Sequence, residues 1–144
     1  MEKVIYSLSA PADASVETLT AQLSAESDQL AALGVRGCVV NVADAEVGPA
    51  AGLRITTEHA PPDAFVQVWV DTANQDRRVP VDALVSGLGE MRSAHLVTES
   101  VPLDQPLAAP AGDDAAHPAR RSGFSQMACI TRPGGMERAE WFEI

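Results

Sequence analysis

Six residues of this chain have side chains whose types and spacing could do chemistry together: Asn41, Phe65, Gln67, Trp69, His95 and Glu99. Four of them come from two strand-like runs, GCVVNV from Gly37 and FVQVWVD from Phe65 to Asp71. Alternate side chains of an extended chain point to opposite faces. Val66, Val68 and Val70 therefore share one face, and Phe65, Gln67, Trp69 and Asp71 share the other. That second face is apolar with polar handles, a composition suited to a lined cavity. Asn41, Gln67 and Trp69 would orient a small aromatic or apolar molecule there, beside Phe65. His95 and Glu99 lie on one face of a later strand and could form a general acid–base pair. Alternation leaves open which face of the sheet that is. The plainer alternative is that these residues form a seam between two packed sheets, each polar group bonded across it. Burial demands such partners whether or not anything is catalysed, so the seam requires less.

Metal chemistry is not expected. His59 sits in a loop beside Glu58 and Asp63, His117 lies in a Pro- and Ala-rich stretch, and no set of ligands converges at a suitable spacing. Nucleophile elbows, phosphate loops and dinucleotide fingerprints are missing, since GLGEM has neither the glycine spacing nor the preceding strand. No cofactor is expected, haem included.

The elements that must position these residues are legible from periodicity. KVIYSL, Lys3 to Leu8, alternates as a first strand. A helix is predicted over Ser15 to Leu33, capped by Asp13 or Ser15, with Leu19, Leu23, Leu30 and Leu33 on one stripe and Gly34 as its stop. A long connection with a brief strand at Leu53 to Thr57 leads to FVQVWVD. Pro80 is expected to open a second helix, with Val81, Leu84, Val85, Leu88 and Met91 on its apolar face and Gly87 and Gly89 weakening it. AHLVTESVPL, from Ala94, closes the unit as a fourth strand. The fold class is thus α+β, a ferredoxin-like βαββαβ sheet with both helices on one face and the other left for something else to cover.

The chain has 144 residues, of which 46% are hydrophobic and 21% charged, enough for one packed domain and something more. The ferredoxin-like domain is placed at residues 1–103, a Pro/Ala/Asp-rich linker at 104–122, and a partial second repeat at 123–144. Ile5-Tyr6-Ser7-Leu8 aligns without a gap over Met127-Ala128-Cys129-Ile130, Pro11 over Pro133 and Leu19 over Trp141. A formal net charge of −10 argues against nucleic acid and anionic membrane surfaces as partners. Arg77-Arg78 and Arg120-Arg121, beside turn residues, read as solvated loop charges. VIYSL is too short for a signal-peptide core or a membrane span, so a cytoplasmic location is expected, with Cys38 and Cys129 as buried thiols and not a disulfide.

These stretches together, EKVIYSLSAPADAS, GCVVNVADAEVGPAAGLR, FVQVWVD, AHLVTESVPL and GFSQMACITRPGGMERAEWFEI, resemble the EthD-like family of the dimeric α+β barrel superfamily. The resemblance spans nearly the whole chain, although none of the stretches is a strict signature. It implies a sheet that packs face to face with a second ferredoxin-like unit around a central cavity, supplied either in tandem or by a homodimer. In tandem members histidines follow the tryptophan that Trp141 matches. This sequence has no counterpart to them, which implies a second unit cut short. The function implied is binding of a small aromatic or apolar molecule in the barrel cavity, with non-redox acid–base chemistry of a decarboxylase- or dehydratase-like kind on a carboxylated or hydroxylated aromatic. The alternative is a non-catalytic self-associating module, or an inactive truncated copy. Whether the chain is an enzyme is left undecided.

Overall fold

The alternation of KVIYSL and FVQVWV is realised as two adjacent antiparallel strands at the centre of a four-stranded sheet. In the computed structural model, which describes residues 1–11, 15–53, 60–99 and 134–137, the elements run β1 (Glu2–Ser9), α1 (Val16–Ala25), α2 (Ser27–Ala32), β2 (Gly37–Val42), a 3₁₀ stretch (Ala45–Leu53), β3 (Ala64–Val70), α3 (Gln75–Leu88) and β4 (Glu90–Val97). The sheet order is β2-β3-β1-β4 with every pairing antiparallel. This is an α+β architecture compatible with a ferredoxin-like fold. The chain divides into two units, Met1–Gln105 and Pro106–Ile144. In the second, the described residues 134–137 form a turn in which Gly135 takes φ 83, a left-handed conformation that glycine adopts without steric cost.

Register builds one face of the sheet from Val4, Tyr6 and Leu8 of β1 opposite Val68, Val66 and Ala64 of β3. All six are buried, and they pack with Leu19 and Leu23 of α1, Leu30 of α2, and Val81, Val85 and Leu88 of α3. Each large aliphatic side chain so enclosed contributes roughly 1.5–3 kcal/mol. The single polar atom at the heart of this layer, the Tyr6 hydroxyl, donates to Asp82 Oδ1 at 2.8 Å, and Arg78 Nε donates to the other oxygen at 3.0 Å. Burial first, and the Asp82 bond second, raise the Tyr6 phenol far above its usual pKa.

Several expectations are corrected. The helix over 15–33 is two, broken at Glu26, where Ser24 Oγ donates back to the Thr20 carbonyl at 3.0 Å; such back-bonding bends helices. Ser15 is the cap, accepting from the Thr18 N–H, and Asp13 lies outside the described residues. Leu33 leaves the buried stripe and is exposed. The second helix begins at Gln75, not Pro80, because Asn74 caps it by accepting from the Arg77 N–H. Pro80 is accommodated inside the helix on its exposed side, and Arg77 and Arg78 belong to the first turn and not to a loop. The fourth strand starts at Glu90 instead of Ala94, so Met91 is a strand residue. Gly89 permits this early exit: a Cβ there would stand 2.7 Å from the Ser9 carbonyl oxygen. Cys38 is exposed on edge strand β2, although packing around the sulfur raises its thiol pKa. Leu53 ends the 3₁₀ stretch. The rest of the strand expected at 53–57, His59, Cys129, His117, Trp141 and the linker fall outside the described residues.

Candidate functional site

The opposite phase of β1 and β3 makes the helix-free face. Lys3, Ile5 and Ser7 stand opposite Trp69, Gln67 and Phe65. Edge strand β2 adds Gly37, Val39 and Asn41 opposite Trp69, Gln67 and Phe65, and edge strand β4 adds Ser93, His95 and Val97 opposite Ser7, Ile5 and Lys3. The question alternation left open is thereby answered by register. His95 pairs with Ile5, so its face is that of Gln67 and Trp69, and Glu99 follows two residues beyond Val97. Five of the six candidates thus share one side of the sheet, and Glu99, beyond the end of β4, bonds to Trp69 on that side.

Gln67 is at the middle, with Ile5 and Val39 across the strands and Phe65 and Trp69 before and after it. It is 9% exposed, and its carboxamide has no hydrogen bond among the described residues. Asn41, diagonal to Gln67, has its Nδ2 buried with no hydrogen-bond partner. Diagonal neighbours on one sheet face are about 7–8 Å apart. Ser7 and Ser93 satisfy each other, Oγ to Oγ at 2.6 Å. Phe65 and Trp69 are half-buried, Val39 and His95 exposed. A β-bulge aids this arrangement: Ser7 pairs with Ser93 but Leu8 pairs with Met91, which leaves Arg92 as the extra residue.

Trp69 is fixed on three sides. Its ring lies over Gly37, where a Cβ would come within 3.4 Å of the indole. The Lys3 ammonium stands 4.4 Å from the ring centroid. Its Nε1–H donates to Glu99 Oε2 at 2.8 Å, while Lys3 Nζ donates to Glu99 Oε1 at 2.7 Å. The Lys3 bond, and then the indole bond, hold the Glu99 carboxyl below its usual pKa. Glu99 is therefore engaged by Lys3 and Trp69, not by His95, which has no hydrogen bond or ion pair among the described residues. An ionised carboxylate with both oxygens occupied is a poor proton acceptor. Asp71, in the phase of Trp69, is drawn aside by Arg36 at 2.7 Å, and that bond lowers its pKa.

A cleft of about 530 Å³ adjoins this end of the sheet. It touches Trp69 and Glu99 along with Lys3 and Leu96 but reaches none of Asn41, Phe65, Gln67 and His95. Among the described residues no three His, Cys, Asp or Glu side chains cluster to hold a metal ion, and no helix is long and apolar enough to cross a membrane. Lys3, Ile5, Ser7, Val39 and Ser93 were missed as members of this face. The signal was available: the same alternation that assigns Val4, Tyr6 and Leu8 to the core sends Lys3, Ile5 and Ser7 to the other side.

No protein-family model matches this chain, and no curated protein matches it.

Proposed function

We propose that this domain binds a small aromatic or apolar molecule against the helix-free face of its sheet, with a second copy of the chain closing over it. The observation that carries this is the gathering of Asn41, Phe65, Gln67 and Trp69 on one face, with Asn41 Nδ2 buried and unpartnered. A buried polar group without a partner costs about 1–3 kcal/mol, which a ligand or an apposed surface would recover. The EthD-like resemblance supports the same arrangement, two sheets packed face to face around a cavity. A sheet that offers Ile5, Phe65, Trp69 and Val97 beyond its own helices is suited to a partner sheet about 10 Å away. Acid–base chemistry in that cavity would rest on His95, since Glu99 is committed to Lys3 and Trp69.

That commitment also favours a second reading, a self-associating module without catalysis. Sedimentation velocity over a concentration series, run with and without 2-naphthol, separates the two. Binding in a closed cavity gives a dimer that the ligand strengthens; a structural module gives a dimer indifferent to it. A chain that stays monomeric at hundreds of micromolar and shows no ligand-dependent rise in Tm would refute both.

A further inference from the structure

The charge on the helix-free face selects among aromatic ligands. At its rim two cations are paired with carboxylates, Lys3 with Glu99 at 2.7 Å and Arg36 with Asp71 at 2.7 Å, while Arg92 donates to the Ala60 carbonyl. Lys3 is further covered, since its side chain is 13% exposed and its ammonium lies over the Trp69 ring. The Lys3 charge is thus met within the chain, and a chain of net charge −10 repels a carboxylate. What the centre of the face does leave unpaired is neutral: the carboxamide of Gln67, a residue 9% exposed, and the buried Asn41 Nδ2–H₂ donor. Carboxamides recognise carbonyl and hydroxyl oxygens as donor, and hydroxyl hydrogens as acceptor.

Resting on the binding function proposed above, we infer that the ligand is an uncharged aromatic bearing a carbonyl or hydroxyl oxygen, and that carboxylated aromatics are excluded. The ring packs among Phe65, Trp69 and Ile5, and its oxygen is held between Asn41 and Gln67. Glu99 acts as a charge filter, because it pairs with the Lys3 ammonium beside the Trp69 ring.

The test compares naphthalene, 2-naphthol and 2-naphthoate by isothermal titration calorimetry on the full chain. The expected order is 2-naphthol tightest by about tenfold over naphthalene, with 2-naphthoate weakest. Gln67→Met, of similar length, should bind naphthalene as before and lose most of the preference for 2-naphthol. Asn41→Leu on the edge strand gives a second route should Gln67→Met fail to fold. Glu99→Gln, which frees the Lys3 charge, should raise affinity for 2-naphthoate several-fold relative to 2-naphthol. If 2-naphthoate binds the parent protein as tightly as 2-naphthol, the inference is overturned while binding at this face stands. An unchanged naphthol preference in both amide variants would also overturn it. If none of the three compounds binds, the proposed function itself falls.

Discussion

The two faces of this sheet are made from the same strands, residue by residue, yet only one of them is finished. On the helix-covered side Val4, Tyr6, Leu8, Val66 and Val68 are 0–2% exposed, and the one polar atom among them has its partner in Asp82. On the other side Ile5, Phe65 and Trp69 are half-buried, Val39 is exposed, and the amides of Asn41 and Gln67 have no hydrogen bond among the described residues. Stability is concentrated where packing and polar satisfaction within the sheet face are complete, although Glu26 Oε2 at the α1–α2 junction is also buried without a partner. Recognition belongs where they are not, since unmet hydrogen-bonding capacity is what a ligand or a partner can use. Trp69 marks the boundary, apolar in body but tied by its N–H to Glu99.

Truncations to alanine on the two faces give the sharpest contrast. Leu8→Ala, in the closed layer, should destabilise the fold by about 2–5 kcal/mol in urea denaturation. Val39→Ala, on the helix-free face, should change it by less than about 0.5 kcal/mol. Comparable losses would mean that the helix-free face is as much a core as the other. Next in size, Gly89→Ala should cost about 1–3 kcal/mol, because its methyl would collide with the Ser9 carbonyl, which is backbone and cannot swing away. Gly87→Ala, with nothing within 4 Å of the added carbon, serves as the control and should be neutral or mildly stabilising.

Tyr6→Phe removes one buried hydrogen bond and should cost about 1–2 kcal/mol near neutral pH. It also carries a pH signature. The folded-state phenol pKa is raised, so the Tyr6 contribution is complete below the ordinary value near 10 and is lost as pH climbs above it. Parent stability should therefore decline more steeply above pH 10 than that of Tyr6→Phe, as followed by thermal unfolding at stepped pH. The smallest effect is expected at Glu99. Its pKa is depressed, so the tie to Lys3 and Trp69 persists above the ordinary carboxylate range and is released as pH falls through and below it. Trp fluorescence should show an acid transition in the parent that Glu99→Gln lacks, with little change in overall stability because the carboxylate is near the surface. A transition that survives in Glu99→Gln would assign it to another group.

Much of this was readable in advance. Strict alternation in KVIYSL and FVQVWV specifies strands and sorts their residues into two sides, because the pleat has a period of two whatever surrounds it. The leucine stripe of Leu19, Leu23 and Leu30 specifies a helix for the matching reason at 3.6 residues per turn. Element ends were less legible. Asn74 outweighs Pro80 as a starting signal because a side-chain cap satisfies an orphan N–H, whereas proline merely tolerates a helix. The exit at Gly89 depends on the nearness of Ser9, eighty residues earlier in the chain, which no local window contains.

By itself the sequence determined the α+β class, the alternation of β1 and β3, and the membership of Asn41, Phe65, Gln67 and Trp69 in one chemically mixed set. Those are consequences of local periodicity and side-chain type. Only the tertiary structure decided that His95 and Glu99 join that set, and that Glu99 answers to Lys3 and Trp69 instead of His95. The reason is physical: which residues meet across strands is set by register, and register is a property of pairing between distant segments, not of either segment alone.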